Sequence, residues 1–328
     1  MTGIKKVRKC LLKALMSLFA ALPLKAHYWN AKGFAWLIRS VLRYRRDDVM
    51  INLARSFPEL KYKELKKISK RFYQHFADIL VEVVWFGGCS PERFHRQRIV
   101  EIADVEPFAQ LYDNSSSVML MTSHCGNWEL HGGYIQSNYS GVPMPMREDN
   151  CCVVYKKLSS EVWNEIMGEN RCATLTKKGK KNFHGYIESN DIIRYVLEHR
   201  DEKKFYLINT DQSPYYNAKT FAVVDFMNQK TATMTASAAL ARKCHMSVAF
   251  LGMKTDRRGH YILECHPICI DAAQMETEEI LKRYYALLEA DIREQPFNYL
   301  WTHRRWKKEI PQEKENPQDQ EPPKEKAE

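Results

Sequence analysis

Short apolar runs alternate along the chain with longer stretches in which apolar residues recur every three or four positions. Runs of the first kind occupy residues 118–121, 205–208 and 247–251, and their length and polar boundaries predict buried strands. The segment 233–243 lies between the second and third runs and is helical in composition. A strand, a helix and a further strand in this order favour a parallel sheet.

Two longer stretches have the spacing of amphipathic helices. The first ends before Gly87 and Gly88, a typical helix stop, and its apolar positions are Leu65, Ile68, Phe72, Phe76, Ile79 and Val83. The second is predicted over 277–293 as a helix covering the sheet, with Ile280, Tyr284, Leu287, Leu288 and Ile292 on one face. Residues 261–265 should pair across the turn 256–259 as a hairpin at the sheet edge. Together these patterns predict an α/β fold with a mostly parallel sheet flanked by helices.

The amino-terminal region combines positive charge with apolar residues. No acidic residue precedes Asp47. The basic residues before it are Lys5, Lys6, Arg8, Lys9, Lys13, Lys25, Lys32, Arg39, Arg43, Arg45 and Arg46. This combination is typical of a segment at a membrane surface, so residues 1–45 are predicted to anchor the protein on the cytoplasmic leaflet of a membrane.

Three other interpretations of this segment are possible. The apolar run 10–24 is interrupted by Lys13 and closed by Pro23, which makes it marginal as a transmembrane helix. A signal peptide would have a similar charge pattern, but no clean A-x-A cleavage site follows. An ordinary amphipathic helix packed on the rest of the protein is the third possibility.

The remaining chain is interpreted as one domain and a tail. With 328 residues, of which 45% are hydrophobic, the chain can bury a large core, and residues 46–307 contain no long linker. Residues 308–328 are rich in Lys, Glu, Pro and Gln and are predicted to form a disordered tail.

The nine cysteines fit no disulfide framework or usual zinc pattern, because their number is odd and no C-x-x-C occurs. They are interpreted as reduced packing residues, and no metal or cofactor is predicted.

A histidine and a carboxylate follow the apolar run 118–121. His124 and Glu129 are five positions apart, with Gly126 and Asn127 between them, and Asn127 is a candidate helix N-cap. Neutral imidazole accepts a proton near pH 7, and a nearby carboxylate fixes its tautomer and stabilises the cation. The pair suits a reaction that removes a proton from a hydroxyl. A core histidine that happens to precede a helix is the alternative.

The string Thr122-Ser123-His124-Cys125-Gly126-Asn127-Trp128-Glu129-Leu130 closely resembles the H-x-x-N-W-E segment of the lipid A biosynthesis (late) acyltransferases, within the wider H-x4-D/E group that includes lysophospholipid acyltransferases. Further segments match in the same order and extend the resemblance from about residue 46 to residue 307. They are Asn52-Leu53, Phe57-Pro58-Glu59, Asp211-Gln212 and the closing stretch 299–307. The chain departs from many relatives at Ser213-Pro214-Tyr215-Tyr216, which leaves the acceptor and the acyl-chain length open.

The resemblance implies a glycerol-phosphate acyltransferase-like fold and O-acyl transfer from acyl carrier protein, or acyl-coenzyme A, to a lipid A precursor. His124 would be the general base and Glu129 would orient it, while backbone amides of residues 126–128 are candidate donors to the oxyanion. The residues assigned to substrate binding are Asn127, Arg171, Asp211 and Gln212. Arg171 suits a phosphate because a guanidinium binds it bidentately. His303, Arg304 and Arg305 are assigned a structural role.

Several alternatives stay open at the level of sequence. Cys125 beside the base could form an acyl-enzyme, although neighbouring side chains usually point apart, which favours direct transfer. The acceptor could be a glycerophospholipid, an aminolipid or a mannosylated lipid. A non-catalytic scaffold that binds membrane or nucleic acid would also suit the net charge of +10. The interleaving of charge with apolar residues and the lack of a nucleic-acid motif argue against a nucleic-acid partner.

Overall fold

A seven-stranded, mostly parallel sheet lies at the centre of the computed structural model, which describes residues 3–175, 185–214, 218, 220–308 and 310. The strands of this sheet, within the described residues, are β1 (Val100–Ile102), β2 (Val118–Thr122), β3 (Cys151–Tyr155), β4 (Tyr186–Glu188), β5 (Phe205–Asn209), β8 (Ser247–Arg257) and β9 (His260–Cys269). Their order is β1-β9-β8-β2-β5-β3-β4. Each pair of neighbouring strands in this order is parallel, except that β8 and β9 are antiparallel to each other. A separate antiparallel hairpin contains β6 (Ala222–Phe226) and β7 (Gln229–Thr233).

The predicted α/β fold is confirmed, and the three predicted apolar strands are β2, β5 and β8. β2 lies between the other two, with Val118 opposite both Phe205 and Ser247. One detail of the prediction was wrong. The β8–β9 hairpin is not at the sheet edge, because β1 adds in parallel outside β9.

Helices cover both faces of the sheet. They are α1 (Gly3–Ala21), α2 (Leu24–Trp36), α3 (Arg46–Ser56), α4 (Tyr62–Phe86), α5 (Pro91–Gln97), α6 (Glu106–Asp113), α7 (Glu161–Arg171), α8 (Ile192–Glu198), α9 (Ala236–Lys243) and α10 (Thr277–Glu294). Helices α4 and α10 match the two predicted amphipathic helices, and α4 ends before Gly87 as its sequence indicates. A π-helical turn, Leu37–Val41, extends α2.

The strand β2 is buried on both faces, as its continuous apolar run indicates. Its side chains alternate between two apolar layers, since Met119 and Met121 pack into one and Val118 and Leu120 into the other. A central strand held from both sides is a rigid support for the residues that follow it.

The amino-terminal helices differ in how they meet the domain. Helix α2 packs against α4 and buries Ala31 and Ala35 in the core. Helix α1 leaves a row of apolar side chains exposed, namely Ile4, Val7, Leu11, Leu15 and Leu18. Within the described residues, no helix combines the length and apolar character needed to cross a bilayer. The predicted tail, apart from Lys308 and Ile310, lies outside the described residues.

Three of the amino-terminal lysines contact acidic residues of α7. Lys5 pairs with Glu161 at 2.7 Å, Lys9 bridges Glu165 and Glu169 at 2.6 and 2.7 Å, and Lys13 also contacts Glu169. These lysines therefore attach α1 to the domain and are less available to a lipid surface than the sequence suggested.

We expect Tyr284→Phe to lower the free energy of unfolding by about 1 kcal/mol, because the Tyr284 hydroxyl donates to the Thr122 carbonyl at 2.8 Å inside the core. Urea unfolding monitored by circular dichroism would measure the change. The matched control is Tyr62→Phe, which alters an exposed ring and should change stability by less than about 0.5 kcal/mol. Equal stability of Tyr284→Phe and the parent protein would contradict this assignment.

Candidate active site

The carboxyl ends of β2 and β5 meet at one edge of the sheet, because Thr122 lies opposite Asn209 in parallel register. His124 and Asp211 each follow these residues by two positions and therefore face each other. The Asp211 Oδ1 lies 2.7 Å from His124 Nδ1. Its Oδ2 accepts the backbone N–H of His124 at 3.1 Å. Both oxygens of one carboxylate thus fix the position of the imidazole.

This contact determines which ring nitrogen can react. A carboxylate accepts a hydrogen bond, so Nδ1 carries a proton and donates it to Asp211. The other nitrogen, Nε2, is then an acceptor in the neutral ring, and the Gln212 side-chain amide lies 3.2 Å from it. His124 and Gln212 both line an open cleft. The reactive nitrogen therefore faces the space in which a substrate would bind.

Burial and charge oppose each other at this pair. Burial by itself lowers the pKa of His124, but the negative charge and the hydrogen bond of Asp211 outweigh it, so that the pKa of His124 is raised. The charge of Glu129 contributes in the same direction. For Asp211, burial raises the pKa, whereas His124 lowers it by charge and hydrogen bonding, and the net direction is downward. Asp211 is therefore ionised when it holds the imidazole.

Glu129 has a different partner from the one that we expected. Its carboxylate accepts two hydrogen bonds from the Arg171 guanidinium, Nε to Oε2 at 2.9 Å and Nη2 to Oε1 at 3.2 Å. The hydrogen bond to His124 that we assigned to Glu129 is made by Asp211. Arg171 ends α7 and lies at the cleft, where its charge is balanced by Glu129 instead of being unpaired. Glu129 thus influences His124 through its charge and holds Arg171 in place.

Asn127 is fully buried and does not line the cleft. Its Oδ1 accepts the backbone N–H of Glu129 at 3.3 Å, so it caps the short 3₁₀ helix Trp128–Gln136, as the N-cap prediction stated. Its Nδ2 donates to Glu82 at 2.8 Å. Because both ends of the side-chain amide are engaged inside the protein, we replace its assignment to substrate binding with a positioning role.

The turn before Asn127 requires glycine. Gly126 has a φ of 64°, and a Cβ at this position would clash with the Met253 side chain. The amides expected at an oxyanion are partly engaged. The N–H of Gly126 donates to Asn298, and the N–H of Asn127 lies 3.0 Å from the Met253 sulfur. Because these two amides have other partners, the Trp128 amide is the strongest remaining candidate of the three.

The cleft beside His124 has a volume of about 710 Å³. One part of its lining is apolar and includes Val153, Ile192, Ile208, Met234 and Leu240. Another part carries the cations Lys156, Lys157 and Arg171. A space with an apolar wall and a cationic wall suits a ligand that has both a hydrocarbon chain and an anionic group.

The comparisons with known proteins identify the family of the chain. A family model described as bacterial lipid A biosynthesis acyltransferase matches residues 5–308, nearly the whole chain. The chain belongs to this family. No curated protein matches the chain in a search for relatives. The resemblance carried by the H-x-x-N-W-E segment is therefore confirmed at the level of the family, whose members are acyltransferases acting in lipid A biosynthesis.

Cys125 of the acyltransferase is separated from the cleft. Its side chain is buried, it does not line the cleft, and burial raises the pKa of its thiol well above the usual value. A thiol in this state is a poor nucleophile. This geometry favours direct acyl transfer over an acyl-cysteine intermediate.

Two aromatic rings lie beside His124. The rings of Trp128 and His124 pack edge to face with their centroids 5.0 Å apart, and the His303 ring stacks on that of His124 at 6.2 Å. Burial lowers the pKa of His303 to about 4, so this ring is neutral at pH 7. Arg305 is fully buried and donates to the Ala232 carbonyl and the Tyr285 hydroxyl. The closing motif thus contains one ring beside the base and one arginine inside the core.

Sequence reasoning missed His131 and Glu82. His131 lines the cleft together with His124 and Arg171, and burial lowers its pKa to about 3, so it is a neutral imidazole there. Glu82 lies on α4 and accepts a hydrogen bond from Asn127, which is in the loop between β2 and the 3₁₀ helix. Within the described ranges, no cluster of three or more His, Cys, Asp or Glu residues could hold a metal ion.

We expect Asp211→Asn to lower the pKa of His124, because it removes the charge and the strongest hydrogen-bond acceptor that raise it. Histidine-labelled NMR titration of the imidazole would measure the shift. Glu129→Gln is the matched comparison and should lower the pKa by less, since Glu129 acts on the ring by charge alone. A larger shift in Glu129→Gln than in Asp211→Asn would show that the carboxylate roles are reversed.

Proposed function

We propose that the acyltransferase moves a fatty acyl chain from acyl carrier protein, or less favourably from coenzyme A, to a hydroxyl of a lipid A precursor. The observation that supports this proposal most directly is the His124–Asp211 hydrogen bond of 2.7 Å at the mouth of an amphipathic cleft. A base with an orienting carboxylate suits acyl transfer to an alcohol, because the alcohol is a poor nucleophile until its proton leaves.

In this mechanism, Nε2 of His124 accepts the hydroxyl proton while the oxygen attacks the thioester carbonyl carbon. The new C–O bond forms first, and the C–S bond then breaks as the thiolate leaves. The proton held on Nε2 passes to the leaving sulfur, so the free base is restored and the products are an ester and a thiol. Asp211 stabilises the imidazolium between the two proton transfers. General base assistance of this kind contributes about a hundredfold to ten-thousandfold to a rate.

Two residues beside the base are given roles in binding. Gln212 lies 3.2 Å from Nε2, in the position from which the acceptor hydroxyl must approach. We propose that the hydroxyl takes the place of this contact in the productive complex and that Gln212 then binds the acceptor. Arg171, held by Glu129 on one side, presents its cation to the cleft and would bind an anionic group of the acceptor.

We further propose that α1 binds the cytoplasmic face of the inner membrane. Its exposed apolar side chains share one face, while three of its lysines are turned toward α7. Burying a leucine side chain contributes about 1.5 to 3 kcal/mol, so several of them could hold the helix at a bilayer. The cleft beside His124 would then receive lipid substrates from the membrane surface.

We expect His124→Ala and Asp211→Asn to lower kcat by about a hundredfold or more, since each removes part of the base. In the parent protein, kcat/KM should fall as the pH drops through the raised pKa of His124, because the protonated ring cannot accept a proton. In Asp211→Asn this acidic limb should move to lower pH. Radiolabelled acyl transfer to a purified lipid A precursor would measure these rates.

The control for this assay is His199→Ala, a histidine beyond the carboxyl end of α8 that does not line the cleft. Parent-like transfer by His124→Ala would refute the mechanism. Mass spectra of lipid A and of total lipids, from cells with and without the protein, would separate the proposed acceptor from a glycerophospholipid or another lipid. An unchanged lipid A pattern would reject the lipid A precursor as acceptor.

We expect the double substitution Leu11→Glu and Leu18→Glu to weaken binding to vesicles of phosphatidylethanolamine and phosphatidylglycerol by at least about tenfold, since about 1.4 kcal/mol corresponds to this factor. Vesicle co-sedimentation would measure the binding. Val223→Glu changes an exposed apolar residue of β6 and serves as the control. Equal binding by the double variant and the parent would argue against α1 as the membrane contact.

A further inference from the structure

Glu82 is a fully buried carboxylate that belongs to none of the groups lining the cleft. It lies on α4 and accepts hydrogen bonds from three separate elements. Tyr28 of α2 donates to Oε1 at 2.7 Å. Asn127, in the loop after β2, and Tyr261 of β9 donate to Oε2 at 2.8 and 2.9 Å. All three donors are neutral groups.

The surroundings of Glu82 make its negative charge costly. Burial raises the pKa of Glu82 to about 7, although the hydrogen bonds from Asn127, Tyr28 and Tyr261 oppose this shift. Asp78, one turn earlier on α4, adds a repulsive charge, and the nearby cation Arg258 is bound to Asp78 at 2.6 Å. A buried carboxylate without its own cation is unfavourable for stability. Its presence therefore suggests a use other than packing.

The contact with Asn127 has a specific consequence for the loop. The amide nitrogen of Asn127 faces Glu82 at 2.8 Å, an orientation that the ionised carboxylate favours because it can only accept hydrogen bonds. The amide oxygen is then turned toward the backbone N–H of Glu129, which it caps at 3.3 Å. Glu129 in turn binds Arg171 at the cleft. A continuous series of hydrogen bonds thus runs from Glu82, outside the cleft, to the cation inside it.

We propose that Glu82 is a positioning residue for acyl transfer, which fixes the orientation of the Asn127 amide and thereby the turn that presents Glu129 and Arg171 to the substrate. This inference rests on the function proposed above. Glu82 does not touch the reacting atoms, and its effect passes through Asn127.

Substitution at both positions can reverse the direction of the hydrogen bond between Asn127 and Glu82. Asn127→Asp places a second carboxyl group 2.8 Å from that of Glu82, and at a pH high enough to ionise both groups two acceptors of like charge face each other in a buried space. Adding Glu82→Gln provides an amide that donates a hydrogen bond to the new carboxylate at position 127. That carboxylate still accepts the backbone N–H of Glu129. The double variant therefore restores the hydrogen bond with its direction reversed.

At a pH high enough to ionise both carboxyl groups, we expect Asn127→Asp to lower kcat by about tenfold or more, and the double variant with Glu82→Gln to recover most of this loss. Glu82→Leu should lower kcat by a similar factor with a smaller change in KM, and Glu82→Gln alone should lower it less, because its amide oxygen can still accept from Asn127. Rates are expressed per folded protein, with thermal unfolding measured for each variant. The control for the glutamate-to-leucine substitution is Glu198→Leu, which alters an exposed glutamate on α8.

A double variant no more active than Asn127→Asp alone would overturn the inference, as would a Glu82→Leu protein with parent-like kcat. Hydrogen exchange of the backbone amides of residues 126–131 provides a readout without catalysis, and exchange should be faster in Asn127→Asp and slow again in the double variant. Unchanged exchange in Asn127→Asp would also overturn the inference. If the parent protein transfers no acyl chain while exchange follows this pattern, the proposed function fails and the positioning contact does not.

Discussion

The parallel pairing of β2 with β5 is the constraint on which the site depends. The register that places Thr122 opposite Asn209 brings His124 and Asp211, distant in the sequence, within a hydrogen bond of each other. In a parallel sheet the carboxyl ends of neighbouring strands share one edge, and side chains that follow them converge there. A shift of one residue in this register would turn the strand's apolar side chains to the wrong faces and would also separate the base from its carboxylate. The packing of the core and the geometry of the site are therefore determined together.

The elements of the fold were largely accessible from the sequence. Continuous apolar runs predicted β2, β5 and β8, and helical spacing predicted α4 and α10, because these elements bury whole faces and their patterns are strong. The position of β1 outside β9 was not accessible, since a strand of three residues carries little periodic signal. His124, the proposed base, was identified through the ordered motifs that resemble the family.

The partners of the site residues were harder to predict. Glu129 is close to His124 in sequence, yet the left-handed turn at Gly126 and the capped 3₁₀ helix direct it to Arg171. The signal for Asp211 was present, because it follows a strand predicted to be parallel to β2, but the pairing of the two strands had to be known first. Glu82 had a signal too, as a single acidic residue in the otherwise apolar run 79–86. Periodicity shows that such a residue is buried and does not show what it contacts.

The position of β2 between β5 and β8 also determines when, during synthesis of the chain, β2 can pair on both edges. The apolar run of β8, residues 247–251, ends about 130 residues after β2. Both neighbours of β2, which are β5 and β8, therefore exist only when this part of the chain has been made. At roughly 5 to 20 residues per second, the interval is on the order of ten seconds. During this time the edge of β2 that will meet β8 is unpaired, and an open apolar strand edge is a template for aggregation. The arrangement that makes the site rigid in the finished protein therefore leaves a strand edge open while the polypeptide is still being made.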